Sequence, residues 1–280
     1  MVDNRLIRGQ HDSTMTTPHE HNRRAWDARV RSAARFTRPA ADAEFRDPLA
    51  AVDPAGWLGG SIAGRHVLCL AAGGGRQSAL YAAAGARVTV VDISGEMLTL
   101  DRQVAAERGL ELRTVETSMD DLSAFASGEF DIVIHPVSTC YVANVMEVYR
   151  QVARVVAPGG LYISQHKQPT SLQTSVEPSP RGYEIIEPYD RQGPLPAVVG
   201  SPHREEGTLE FLHRWEELLG GMCRAGFVIE DLLEPQHADP KAAIGSFGHR
   251  SRYVAPYVRV KARRQAGPER PAFGPKVWVP

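Results

Sequence analysis

The chain is poor in cysteine, with three in 280 residues at positions 69, 140 and 223. No two of them stand at metal-ligand spacing, so neither a disulfide framework nor a zinc knuckle is implied. Excess charge is missing too. Lys and Arg total 32 against 33 Asp and Glu, a formal net charge of −1, so a nucleic-acid partner gets no help from the total. No apolar run approaches the roughly 20 residues of a membrane span. The opening MVDNRLIRGQHDS has no apolar h-region of the kind a secretory signal needs. No HExxH, CxxC or nucleophile-elbow motif occurs, and no internal repeat. The expectation is a cytoplasmic protein without a metal, a nucleic-acid partner or a membrane anchor.

What is present is an ordinary globular composition, 42% hydrophobic and 23% charged, organised around one stretch. Residues 65–92 read RHVLCLAAGGGRQSALYAAAGARVTVVD. An apolar run at 67–72 ends on Gly73, Gly74 and Gly75. A helical run follows at 77–84, and a second apolar run at 86–91 ends on Asp92. Strand, glycine turn, helix, strand and acid form the opening βαβ unit of a nucleotide-binding sheet. The turn must bend sharply and let a ligand approach the backbone, and a Cβ obstructs both. The carboxylate of Asp92, at a strand tip, can accept both hydroxyls of a ribose.

Two cofactor classes use this layout. The dinucleotide fingerprint G-x-G-x-x-G would need a third glycine where Ser78 stands. The run VLCLAAGGG at 67–75 instead resembles the first motif of the class I S-adenosylmethionine-dependent methyltransferases, although Cys69 and Ala71 replace that family's usual acid and glycine. A second likeness is Ala157-Pro158-Gly159-Gly160, which leads from a helix at 142–156 into a strand at 161–165. The N-x-x-x-W-D pattern of Asn22, Trp26 and Asp27 is similar to the start of one bacterial branch.

The resemblance implies a Rossmann-like α/β fold: a seven-stranded sheet with helices on both faces, a helical lid and an insertion after strand 5. The expected divisions are a flexible arm at 1–20, a lid at 21–64, a cofactor-binding core at 65–165, a pocket insertion at 166–209, a helix and strands 6 and 7 at 210–264, and a tail at 265–280. S-adenosylmethionine is then expected against Ala71, Gly73, Gly75 and Gln77 of the turn. Asp92, Ile93 and Met97 would face its ribose and adenine edge. Ser118, Met119 and Asp120 would hold the adenine, and Trp26 would be either a lid or a core anchor.

Later segments give strands at 111–116, 130–135, 227–234 and 252–260, and a helix at 210–224. His135 stands at the carboxyl end of the fourth strand, where open α/β sheets bind ligands, and so near the transferred methyl group. His135, His166, Tyr183 and His213 are the candidate bases for a protonated acceptor. The expected activity is methyl transfer to a small molecule, an aromatic specialised metabolite, with indole C3-methyltransferases of alkaloid biosynthesis as a narrower resemblance. The competing readings are an NAD(P)-dependent oxidoreductase and a non-catalytic S-adenosylmethionine-binding subunit. Phe273 and Trp278 give the proline-rich tail two anchors, for this chain or for a second subunit in a homodimer.

Overall fold

The computed structural model describes residues 17–266. The expectations for most of the N-terminal arm and for the tail with Phe273 and Trp278 lie outside the described residues. The helices are α1 (Pro18–Arg31), α2 (Pro48–Val52), α3 (Gln77–Ala83), α4 (Gly95–Arg108), α5 (Val145–Val155), α6 (Pro169–Gln173), α7 (Gly221–Arg224) and α8 (Phe247–Arg250). The strands are β1 (His66–Leu70), β2 (Arg87–Asp92), β3 (Leu112–Glu116), β4 (Phe130–His135), β5 (Val156–Lys167), β6 (Phe227–Leu233) and β7 (Tyr257–Arg264). They form one sheet in the order β3-β2-β1-β4-β5-β7-β6, with β7 antiparallel to both neighbours and the first five strands parallel. This is the Rossmann-like arrangement expected.

Strand alternation divides the core into two layers. Leu68 and Leu70 of β1 join Val133, Tyr162, Val148 and Leu218 on one face. Val67 and Cys69 join Val90, Ile132, Ile134 and Ile163 on the other. Burial on both faces is why these strands read as unbroken apolar runs. Ser94 caps α4 by accepting from the Met97 N–H at 3.1 Å, and Gly109 ends it at φ +63°. Among the described residues no helix is long and apolar enough to cross a membrane.

Three boundaries differ from expectation. The chain enters β5 directly from α5, and the Pro-Gly-Gly run forms a bulge inside the strand, where a Cβ on Gly160 would lie 2.8 Å from the Asp131 carbonyl oxygen. Residues 210–214 are not helical. Phe211 bridges Pro194, and Glu210 is drawn to Lys167 and Arg204; helical structure starts at Trp215. Strand β7 starts at Tyr257, because Arg250 donates to the carbonyls of Ser171, Thr174 and Ser175 and keeps the preceding turn against α6. The segment after β5 carries a short hairpin, bridged between Ser179 and Gly182 and between Thr174 and Ile185.

Candidate functional site

A cavity of about 550 Å³ runs over the carboxyl ends of the parallel strands. It spans the order reversal between β1 and β4, where a doubly wound sheet opens a crevice. Gly73 stands at its floor beyond β1, Asp92 at the tip of β2, Met119 beyond β3, Pro136 to Ser138 beyond β4, and Gln165 near the end of β5. Trp26 of α1 covers it, and Tyr257 closes the far side.

The glycine turn is fixed from below. Asp92 accepts from the Gly73 N–H at 2.9 Å and from the Ser94 N–H at 2.9 Å. It is 8% exposed, and burial pushes its pKa up to about 6 despite those bonds. A Cβ on Gly73 would lie 2.7 Å from Met97 Cβ and 2.9 Å from Asp92 Oδ2, so only glycine allows this floor. Gly75 has a different task. At φ +70° it faces α4, and a Cβ there would lie 2.8 Å from Val104 Cγ2. It packs helix against turn and does not line the cavity.

The carboxylate of Asp101, fully buried on α4, accepts from the Gly74 N–H at 2.8 Å, the Gly75 N–H at 3.0 Å and the Ser78 hydroxyl. These amides are the ones a dinucleotide-binding turn offers to a pyrophosphate. Here an internal anion holds them, and a phosphate would meet like charge. The turn is built for a ligand without phosphate, and the oxidoreductase reading loses its binding site.

A methyltransferase domain family matches residues 68–164. An uncharacterised methyltransferase of Bacillus subtilis, YbaJ, is 34% identical over 76% of this chain and 89% of its own length. The chain is a class I methyltransferase. A ubiquinone biosynthesis O-methyltransferase of Bordetella pertussis is 33% identical over 46% of the chain and 54% of its own length, so the chain spans about half of that relative. A methyltransferase structure from Mesorhizobium loti shares the fold with TM-score 0.61 at 20% identity, over 76% of this chain and 98% of that one. The methyltransferase uses S-adenosylmethionine as its cofactor, and a phosphate-free turn beside an adenosine-sized crevice fits that molecule.

The expected cofactor residues divide. Trp26, Ala71, Gly73, Gln77, Asp92, Ile93, Met97, Ser118 and Met119 all line the cavity. Ala71 sits at φ +47°, in the conformation glycine would take at the turn's start. The Oε1 of Gln77 is buried with no hydrogen-bond partner among the described residues, an acceptor left for a ligand donor. Asp120 is displaced from the wall and held by His19, whose Nε2 lies 2.9 Å away; His19 itself faces the cavity.

None of the four candidate bases of the methyltransferase lies on the cavity wall. His135 is 1% exposed. Strand parity turns it into the sheet against the Tyr162 hydroxyl at 2.8 Å, and burial lowers its pKa to about 3. His166 is pinned between the hydroxyls of Thr139 and Ser164, at 2.9 and 2.8 Å, and burial lowers it to about 3 as well. His213 donates through Nε2 to the Thr139 carbonyl at 2.9 Å, and burial lowers its pKa. Tyr183 pairs with His249 in the insertion, 2.8 Å apart.

The structure supplies others instead. Tyr141, Gln165, Glu205, Phe247 and Tyr257 line the end of the cavity away from Asp92. Periodicity could not reveal them, because Glu205 belongs to an irregular segment and Phe247 opens a helix of a single turn, α8. The one available signal was a long stretch without pattern, which marks a functional loop. Among the described residues no group of three or more His, Cys, Asp or Glu could hold a metal ion.

Proposed function

We propose that the methyltransferase transfers a methyl group to a small, planar aromatic metabolite bound at the Tyr141 and Tyr257 end of the cavity. The observation that carries this reading is the continuity of one cavity from Asp92 and Gly73 to that ring-lined end. S-adenosylmethionine supplies an electrophilic methyl on a sulfonium. Asp92 accepts the two ribose hydroxyls. Met119 covers one face of the adenine and Ser118 meets its edge. Gly73 and Ala71 give the backbone room for the methionine portion, and the free Oε1 of Gln77 takes one of its donors. Trp26 closes the mouth and excludes water.

Alignment and water exclusion supply most of the rate in such a transfer. The buried histidines His135, His166 and His213 therefore keep a structural role; the histidines on the cavity wall are His19 and His237, and an acceptor whose nucleophilic atom needs little prior deprotonation asks least of them. An electron-rich ring such as an indole meets that requirement. Specialised metabolism is the setting in which such acceptors arise.

Calorimetry with S-adenosylhomocysteine tests the cofactor end. Micromolar binding is expected, and D92A should weaken it by about 100-fold or more, since two charge-assisted hydrogen bonds are lost. Equal affinity in D92A would refute the placement. Methyl release from radiolabelled cofactor across a panel of aromatic acceptors separates an enzyme from a binding subunit.

A further inference from the structure

The cavity end opposite Asp92 carries four polar side chains among its rings: Gln165, Glu205, His237, which packs against Phe247 and Tyr257, and Arg35, whose guanidinium lies over Phe247. Glu205 is 8% exposed. Its Oε2 accepts from the Tyr141 hydroxyl at 2.7 Å and from the Lys167 ammonium at 2.5 Å. Neither of these donors bonds its Oε1, and the neighbouring Glu210 carboxyl is close enough to hydrogen-bond the Glu205 side chain when protonated. Lys167 is itself 5% exposed and also donates to Glu210 at 3.1 Å. A carboxylate so placed is oriented by two donors on one oxygen and left with an open acceptor on the other.

Burial works against the charge on Glu205, but Lys167 and the Tyr141 hydroxyl outweigh it and hold its pKa below the ordinary value. The group stays ionised and is a poor proton acceptor, so its use is recognition. Its charge is already matched by Lys167, and Arg35 also lines the cavity. A second full cation is therefore not demanded. A carboxylate or phosphate on the acceptor would meet like charge at Oε1. A neutral N–H or O–H is the remaining match, and an apolar site built to bond such a group rejects analogues that lack it.

We propose that Glu205 selects the acceptor: its open Oε1 accepts a hydrogen bond from a ring N–H or O–H of an uncharged aromatic seated among Phe36, Tyr141, Phe247 and Tyr257. This rests on the reading that the Asp92 end holds the cofactor. Glu205 fixes which face of the ring is turned toward the methyl group.

The test uses the full chain saturated with S-adenosylhomocysteine and matched probes in calorimetry. The pairs are 2-naphthol with 2-methoxynaphthalene, and 3-methylindole with 1,3-dimethylindole. The donor-bearing member should bind at least about tenfold more tightly than its capped partner. In E205Q the Tyr141 hydroxyl and Lys167 still require an oxygen, so the amide NH2 is turned into the cavity, where it opposes a donor. The preference should then fall to about twofold or less, or invert. S-adenosylhomocysteine affinity should change by no more than about twofold, which shows that the variant is folded. Should E205Q fail to fold, Tyr141→Phe carries the test. With one competing donor gone from Glu205, the preference for the donor-bearing probes rises.

Capped probes that bind as well as their partners overturn the proposal. So does a preference that survives in E205Q or falls in Tyr141→Phe. If neither member of either pair binds while S-adenosylhomocysteine does, the aromatic donor class is excluded and the proposal falls. If S-adenosylhomocysteine itself does not bind the wild-type chain, the cofactor placement has failed.

Discussion

At the scale of single residues, two buried carboxylates govern the glycine turn. Burial raises both Asp92 and Asp101 from 3.8 to about 6. A carboxyl whose folded value lies above its unfolded value favours the protonated form in the folded state. Its contribution to stability is present below about pH 4 and declines as pH rises toward 6. Ribose hydroxyls donating to Asp92 favour the ionised form instead. S-adenosylhomocysteine affinity should therefore weaken as pH falls through 6, by up to about tenfold per unit. Calorimetry at pH 5, 6 and 7 checks this, and a flat profile counts against Asp92 as the ribose acceptor. Tyr149 gives a separate test. Its hydroxyl is buried with no partner among the described residues. Tyr149→Phe removes an unpaired polar group and should raise stability by about 1 kcal/mol, measured by urea denaturation.

At the scale of elements, α1 is attached by polar contacts. Thr17 caps α1 by accepting from the Glu20 N–H at 3.2 Å, with Pro18 as its first residue. The apolar residues Ala25, Trp26 and Val30 of α1 are only half-buried. The residues of α1 that are buried are Asn22 and Asp27. Asn22 donates to the carbonyls of Tyr141 and Leu209, at 2.9 and 3.0 Å, and accepts from the Leu209 N–H at 2.7 Å. Asp27 accepts from the Ser94 hydroxyl at 2.6 Å. Polar ties hold α1 in place, which leaves Trp26 on the cavity wall. Asn22→Ala should weaken S-adenosylhomocysteine binding by about tenfold, a loss of 1–2 kcal/mol from three bonds. Its unfolding midpoint should hardly move, because few core contacts are involved. Faster limited proteolysis within α1 is the second readout.

At the scale of the whole molecule, α1 and the segment after β5 are tied to one another beside the cavity. Asn22 joins α1 to residue 209, and Tyr141, at the start of the crossover from β4 to β5, bonds to Glu205. Buried Lys167 at the end of β5 holds Glu205 and Glu210, and Arg204 reaches Glu210 at 3.2 Å. Breaking any of these leaves a buried charge unmatched. Cofactor binding should therefore order both segments together. Hydrogen exchange on adding S-adenosylhomocysteine should slow in residues 18–31 and in residues 203–213 alike. Protection confined to the glycine turn and β2 would show that these segments move independently.

The sequence by itself determined the sheet, the glycine turn and the acid at position 92. Those features depend on local periodicity and on a conformation that only glycine allows, and both are visible over a few residues. The resemblance to methyltransferase motifs then pointed to most of the wall at the Asp92 end of the cavity, since those motifs sit at the carboxyl tips of successive parallel strands. Tertiary structure decided the rest. Whether His135 and His166 face the cavity or the core depends on strand parity and packing, which a residue type does not carry. Asp101 looked like an ordinary helix position until the fold brought it under the turn. Glu205 in irregular chain, Phe247 at the start of α8 and Tyr257 at the start of β7 lie far apart in sequence and meet Tyr141 only because an antiparallel β7 returns beside β5. A charge pair such as Lys167 and Glu205 is a contact between distant segments, and no local pattern records it.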